Sequence, residues 1–170
     1  ALARIGPGPP PDPFIVPETL ASRAEKLAAL EPRLGAVMSG RDAPANAEEA
    51  ASFARLALAR NQPDGAARLW VRAFAASPDL AADLAAMNRF QAARAAARAG
   101  AEGDGEHAGS GANSRADWRR QAIEWLRADL AASTTILKMG TAPQRAGVAR
   151  RLSRLRVDPA LASIRDEPAL

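Results

Sequence analysis

The chain has 170 residues, of which 48% are hydrophobic, 25% charged and 4% aromatic, and its 23 basic against 19 acidic side chains leave a net charge of +4. It has no cysteine, no tyrosine and one histidine, which excludes disulfides and thiolate chemistry and leaves little from which to build a nucleophile–base pair or a metal cluster. The length suits one domain, and no apolar run approaches the roughly 20 residues that a membrane-spanning helix needs.

Much of the apolar content is alanine, which favours helix but brings little surface to bury. A close-packed helical array with a thin core is therefore expected, with Trp70, Phe74, Phe90, Trp118 and Trp125 carrying much of the packing. Lys26 and Lys138 are the only lysines. The arginines alternate with Asp and Glu along the helical stretches, which describes a solvated, ion-paired surface better than a nucleic-acid face.

Residues 1–17 read as a proline-rich linker: in GPGPPPDPFIVP each proline removes an amide donor and holds its predecessor extended. Phe14, Ile15 and Val16 are placed to dock on the first helix. The opening residues show neither an initiator Met nor a signal-peptide apolar region, so the chain reads as a piece of a longer or processed polypeptide.

Residues 18–99 form the main helical region. Leu20, Ala24, Leu27 and Leu30 keep a 3.6-residue beat. Pro32 is expected to interrupt it, with a short second helix carrying Leu34, Val37 and Met38 and ending at Gly40. Asn46 and Glu49 make an N-x-x-E start signal for a helix to about Arg60, presenting Phe53, Leu56 and Ala57, with Glu49 reaching back to the cap. After the turn residues NQPDG, Asp64 is expected to cap a helix bearing Ala66, Leu69, Trp70, Ala73 and Phe74, stopped by Pro78. One continuous helix is then expected from Asp79 to about Ala99.

Residues 100–114 are a glycine-rich tract expected to be a mobile loop. It contains the single histidine, His107, beside Asp104 and Glu106 without the further ligands a metal would need. Residues 115–170 complete the same array. Ser114 and Asp117 signal a helix that no Pro or Gly breaks before Met139, roughly 37 Å long at 1.5 Å per residue. Trp118, Ala122, Trp125, Leu126, Leu130 and Leu137 lie on its apolar face. Thr141 and Gln144 make a capping box for a helix with Val148, Leu152 and Leu155, and Asp158-Pro159 opens a last turn with Leu161 and Ile164. In all, about six helices are expected.

Numbered as a 34-residue repeat from Ala47, the chain places Ala66, Trp70, Ala73 and Pro78 at the small-large-small-proline positions of a tetratricopeptide unit. Small residues let the paired helices approach, the aromatic fills the hole between them, and the proline breaks the chain before the next unit. Leu84 and Met87 recur 34 residues after Ala50 and Phe53. The expected fold is an all-α array of antiparallel helical hairpins, a tetratricopeptide-like right-handed superhelix with a long C-terminal helix.

The segments RLWVRAFAASPDLAADL, RFQAARAAARAG and WRRQAIEWLRADLAA, followed by DPALASIRD, resemble the tetratricopeptide-type region that follows the catalytic domain in many bacterial serine/threonine protein kinases. The resemblance covers about Ala43 to Glu167 and implies a non-catalytic helical scaffold attached to a cytoplasmic signalling enzyme. Phe90, Gln91 and Arg94 stand where relatives usually have Tyr, Asn and Cys. No glycine-rich nucleotide loop, VAIK-type lysine, HRD or DFG occurs, so no kinase chemistry resides in these residues.

In such arrays the first helix of each pair lines a concave groove. The groove-facing positions are Glu48, Ala51, Arg55, Leu58 and Ala59, and one repeat later Ala82, Ala85, Arg89, Ala92 and Ala93. Glu48, Arg55 and Arg89 are the candidate partner-binding residues, with Arg55 and Arg89 at the same position in successive units. Two guanidinium groups on a small-residue wall suit an acidic peptide or a C-terminal carboxylate. The expectation is a protein-interaction scaffold with no catalytic, cofactor or metal site. An arginine-rich nucleic-acid-binding domain and a purely structural spacer are the alternatives.

Overall fold

The computed structural model describes residues 17–102 and 115–165. The proline-rich stretch with Phe14, Ile15 and Val16, the start signal at Ser114, and His107 with its acidic neighbours lie outside the described residues. The described residues are all-α, with no strand: α1 Pro17–Met38, α2 Ala47–Ala59, α3 Pro63–Ala76, α4 Pro78–Ala82, α5 Asn88–Glu102, α6 Arg115–Met139, α7 Ala142–Val157 and α8 Ala162–Arg165, with a 3-10 turn at Pro159–Leu161. None of these helices is long and apolar enough to cross a membrane.

Alanine sets the packing distance. Ala50, Ala51, Ala54 and Ala57 on α2, Ala66, Ala67 and Ala73 on α3, and Ala92, Ala93, Ala95, Ala96 and Ala97 on α5 are all buried. Successive helices therefore meet closely, α2 on α3, α3 on α5 and α5 on α6. Trp70 is fully buried among them with Ala66 and Ala73, as the small-large-small spacing requires. Its ring lies 5.3 Å from Phe74, and Phe74 in turn takes the edge of Trp125 at 5.6 Å and 88°. Trp118 is buried and Trp125 partly so, which places the tryptophan pair of α6 in the core and not on an exposed stripe.

Several expectations are corrected. Pro32 lies inside α1, which is one helix and not two. The bond forfeited by its missing N–H is outweighed because Leu34 and Val37 beyond it are buried in the core. Met38 reaches α3 beside Gly65, where any Cβ would fall 1.7 Å from the Met38 methyl carbon. Asn46 does cap α2, accepting from the Glu49 amide at 2.9 Å, but the Glu49 carboxylate accepts from Ala45 N and not from the cap itself. It also pairs with Arg33 at 2.6 Å, while Arg33 holds Asp42 at 2.8 Å. That guanidinium keeps the Asp42 carboxyl below its ordinary titration range.

Asp64 is not the N-cap of α3. Gln62 occupies that position, Pro63 follows it, and Asp64 stands in the first turn. Its carboxylate instead accepts the indole N–H of Trp118 at 2.8 Å, joining α3 to α6, and pairs with Arg68. Asp64→Ala leaves that indole donor buried without an acceptor and is expected to lower stability by about 1–3 kcal/mol. Asp64→Asn, which keeps an acceptor oxygen, should recover part of the loss in urea denaturation.

The expected helix from Asp79 to Ala99 is broken. It ends at Ala82, and the Asp83 carboxylate accepts from the amides of Ala85 and Ala86 at 2.9 and 3.0 Å. Met87 takes a left-handed φ of 56° before α5 begins at Asn88. An alanine-rich run without Pro or Gly carries no local stop signal other than this aspartate. The break is held from its far side: buried Asn88 donates its side-chain amide to the Leu80 carbonyl at 2.9 Å. Helix α5 then continues to Glu102, into the stretch expected as loop, with buried Gly100 against Arg119 of α6.

In α6 the apolar face is shorter than the pattern implied. Leu130 and Leu137 are exposed, while Asp129 and Ser133 are buried. Alongside α5 the face is apolar; beyond the end of α5 it meets Arg151 of α7 instead. Helix α7 starts as expected, with the Thr141 amide donating to Gln144 Oε1 at 2.8 Å, and Val148 is buried. The Asp158 carboxylate caps the following turn, accepting from Ala160 N at 2.9 Å, and Leu161 is buried. Ser163 of α8 donates to the Ala97 carbonyl at 3.1 Å, which fixes the C-terminal turn to α5.

Candidate functional site

A cleft of about 330 Å³ opens between α2 and α5, with α3 beneath. Arg55, Leu58 and Ala59 come from α2, Trp70 from α3, and Gln91, Arg94 and Arg98 from α5. Arg55, Leu58 and Ala59 are among the residues the repeat numbering placed on the groove. Their counterparts on α5 are not. The break at residues 83–87 leaves Ala82 at the end of α4 and Ala85 in the turn, and Ala92 and Ala93 are fully buried between helices.

The candidate residues separate accordingly. Arg55 lies over the Trp70 ring, 5.2 Å from its centroid, and donates to the Asn88 carboxamide oxygen at 2.5 Å. Asn88 is in turn fixed to Leu80, so the guanidinium is positioned from two sides. Arg89 does not line this cleft; its charge, after that of Arg151, favours the ionised form of the buried Asp129 of α6. Glu48 is exposed at the first turn of α2, where its carbonyl accepts from Ser52 and its charge suits the helix N-terminus. It does not line the cleft. The arginine pair expected from the repeat, Arg55 with Arg89, is thus replaced by the trio Arg55, Arg94 and Arg98.

Arg94 and Arg98 stand one turn apart on α5, so both project from the same face. Arg94 faces Asp158 at 3.0 Å through Nε, donates to Gln91 Oε1 at 3.2 Å and lies over the Phe90 ring at 5.8 Å. Arg98 donates to the Asn61 carboxamide oxygen. Asn61 adopts a left-handed φ of 58° at the α2–α3 turn, which brings its side chain across to α5. The indole N–H of Trp70 is buried without an acceptor. The i,i+4 arginine spacing was visible in the sequence. Its phase relative to Arg55 was not, because that phase is set by where α5 starts.

Among the described residues no group of three or more His, Cys, Asp or Glu side chains is gathered closely enough to hold a metal ion. No protein-family model, curated protein or solved structure matches the chain. The functional reading therefore rests on the helices and on the cleft between them.

Proposed function

We propose that this chain is a non-catalytic protein-interaction scaffold, its α2–α3 and α5–α6 hairpins stacked in the tetratricopeptide manner and its partner received on the α2/α5 face. The observation that carries the reading is the cleft itself. Two first-of-pair helices converge there on a volume within the roughly 300–1,000 Å³ of ligand pockets. The order of packing, α2 on α3, α3 on α5 and α5 on α6, and the burial of Trp70 between Ala66 and Ala73 support the stacking. The resemblance of the WRRQAIEWLRADLAA segment supports a place in a cytoplasmic, kinase-linked signalling protein.

Photocrosslinking tests this. A benzophenone amino acid at Leu58 is expected to yield protein adducts in cell extract, and one at the exposed Val157 is not. Ala59→Trp, which fills the cleft from an exposed position, should abolish the Leu58 adducts. Equal adducts from both positions, or none from Leu58, would overturn the scaffold reading.

A further inference from the structure

We infer that α7 is a docking surface for duplex DNA, seated in the major groove with its arginines on the phosphates of both strands. The inference goes beyond the scaffold reading and concerns a different helix. It stands on the charge of α7, on the way that helix is anchored, and on the shape of its outer side.

Elsewhere arginine is answered by acid: Arg33 by Asp42 and Glu49, Arg68 by Asp64, Arg94 by Asp158 and Arg120 by Asp117. Helix α7, APQRAGVARRLSRLRV, carries five arginines and no Asp or Glu. Only Arg151 of these is buried, and it points inward to Asp129, Ser133 and the Leu84 carbonyl. That anchor fixes the rotation of α7 about its own axis. Arg145, Arg150, Arg154 and Arg156 are exposed, and among the described residues their side chains meet no ion-pair or hydrogen-bond partner. Arg145 and Arg156 lie about three turns apart on one side of the axis, and Arg150 and Arg154 about one turn apart on the other. Roughly 150° separates the two rows. Between them run Ala146, Ala149, Ser153 and Val157, all exposed. The outer side of α7 is therefore small in the middle and cationic on both flanks. The major groove of B-DNA, about 12 Å wide, admits a helix about 10–12 Å across, which sets one arginine row against each strand. The small stripe lets the helix approach the base edges. Only the Ser153 hydroxyl offers a polar group to read them, so the binding is chiefly electrostatic and tolerant of sequence. Other anionic surfaces fit less well. A helix lying in a membrane interface needs large apolar residues between its basic flanks, and Val157 is the largest here. A protein interface draws on aromatic anchors, which this stripe lacks. Duplex RNA has a major groove too deep and narrow to admit the helix.

The test uses the full chain and a fluorescein-labelled DNA duplex of about two helical turns, read by fluorescence anisotropy across a salt series. Binding is expected. Four phosphate contacts predict a slope of log K against log salt of about −3.6, or roughly a 100-fold loss between about 50 and 200 mM. Arg150→Gln with Arg154→Gln, and separately Arg145→Gln with Arg156→Gln, should each weaken binding by about tenfold and flatten the slope by about 2. Lysine at the same positions should retain most of the affinity, because phosphate also accepts a point charge. Arg41→Gln with Arg72→Gln, exposed on other parts of the chain, removes as much charge and should leave binding nearly unchanged. Ala149→Trp, which fills the stripe without altering charge, should weaken binding. Circular dichroism melts check that each variant folds. Failure of the unaltered chain to bind the duplex would overturn the inference. So would a loss in the Arg41 and Arg72 control equal to that of the α7 pairs, or full affinity in Ala149→Trp. Equal binding of an RNA duplex, or displacement of the DNA by phosphatidylglycerol vesicles at equal charge, would reassign the surface and overturn it too. Crosslinking at Leu58 is read separately, so the scaffold reading stands or falls on its own.

Discussion

Trp70→Ala is expected to remove about 3–5 kcal/mol of stability, enough to unfold much of a domain whose total stability is of the order of 5–15 kcal/mol. The magnitude follows from what surrounds the ring. Trp70 is fully buried, and its neighbours along α3, Ala66 and Ala73, are alanines that cannot swing into the void. Phe74 would lose its contact at 5.3 Å and Arg55 its stacking surface. A cavity lined by alanine methyl groups on stiff helices collapses poorly, which places the cost toward the upper end of the range. Chemical denaturation followed by circular dichroism reads the loss directly. Trp70→Phe, which keeps an aromatic ring in the gap, should cost clearly less. Equal losses for the two variants would show that the indole's full volume, and not an aromatic filler, is what the hairpin requires.

The second large effect lies at the other end of α5. Asp129 of α6 and Arg151 of α7 are both buried, 3.4 Å apart. Arg151 also donates to the Leu84 carbonyl at 3.0 Å and to Ser133 Oγ, so one side chain ties α7, α6 and the 83–87 turn together. Arg151→Met removes the main countercharge from a buried carboxylate and is expected to cost about 3–5 kcal/mol. Combining it with Asp129→Leu should restore most of that, because a buried apolar pair of similar volume carries no desolvation penalty. A double variant no more stable than Arg151→Met alone would mean that the hydrogen bonds to Leu84 and Ser133, and not the charge pair, hold α7 in place.

The pH dependence follows with a definite sign. Burial pushes the Asp129 carboxyl above its ordinary value of 3.8, while Arg151 and then Arg89 pull it back. The folded chain therefore holds this proton more tightly than the unfolded chain. The resulting stabilisation is complete below the ordinary value and is lost as pH rises through the raised one. Arg151→Met should widen that window, so its deficit grows from acid toward neutral pH. Adding Asp129→Asn should flatten the difference, and urea midpoints across a pH series measure it.

What was legible in the sequence was what short-range physics encodes. The Asn46 cap, the Thr141–Gln144 box, the stop at Gly140 and the wedge of Trp70 between two alanines each depend on residues within a few turns of one another, and each is found where the pattern puts it. The cleft was half legible for the same reason. Arg55, Leu58 and Ala59 share a face of α2 wherever that helix packs.

The rest was decided by packing. Helix α1 runs through Pro32 because core burial of Leu34 and Val37 outweighs one lost hydrogen bond. The chain breaks at Asp83 because Asn88 bonds back to Leu80 across the turn and Arg151 holds the Leu84 carbonyl from α7. That break resets the phase of α5, leaves Arg89 off the cleft and brings Arg94 and Arg98 onto it with Arg55. By itself the sequence determined an all-α fold for the described residues, the bounds of α2 and α6, and the aromatic that fills the hairpin. Only the tertiary structure decided where α5 begins and which arginines meet. Helices that meet largely through alanines carry little side-chain size pattern to set their register, so distant polar contacts help to set it.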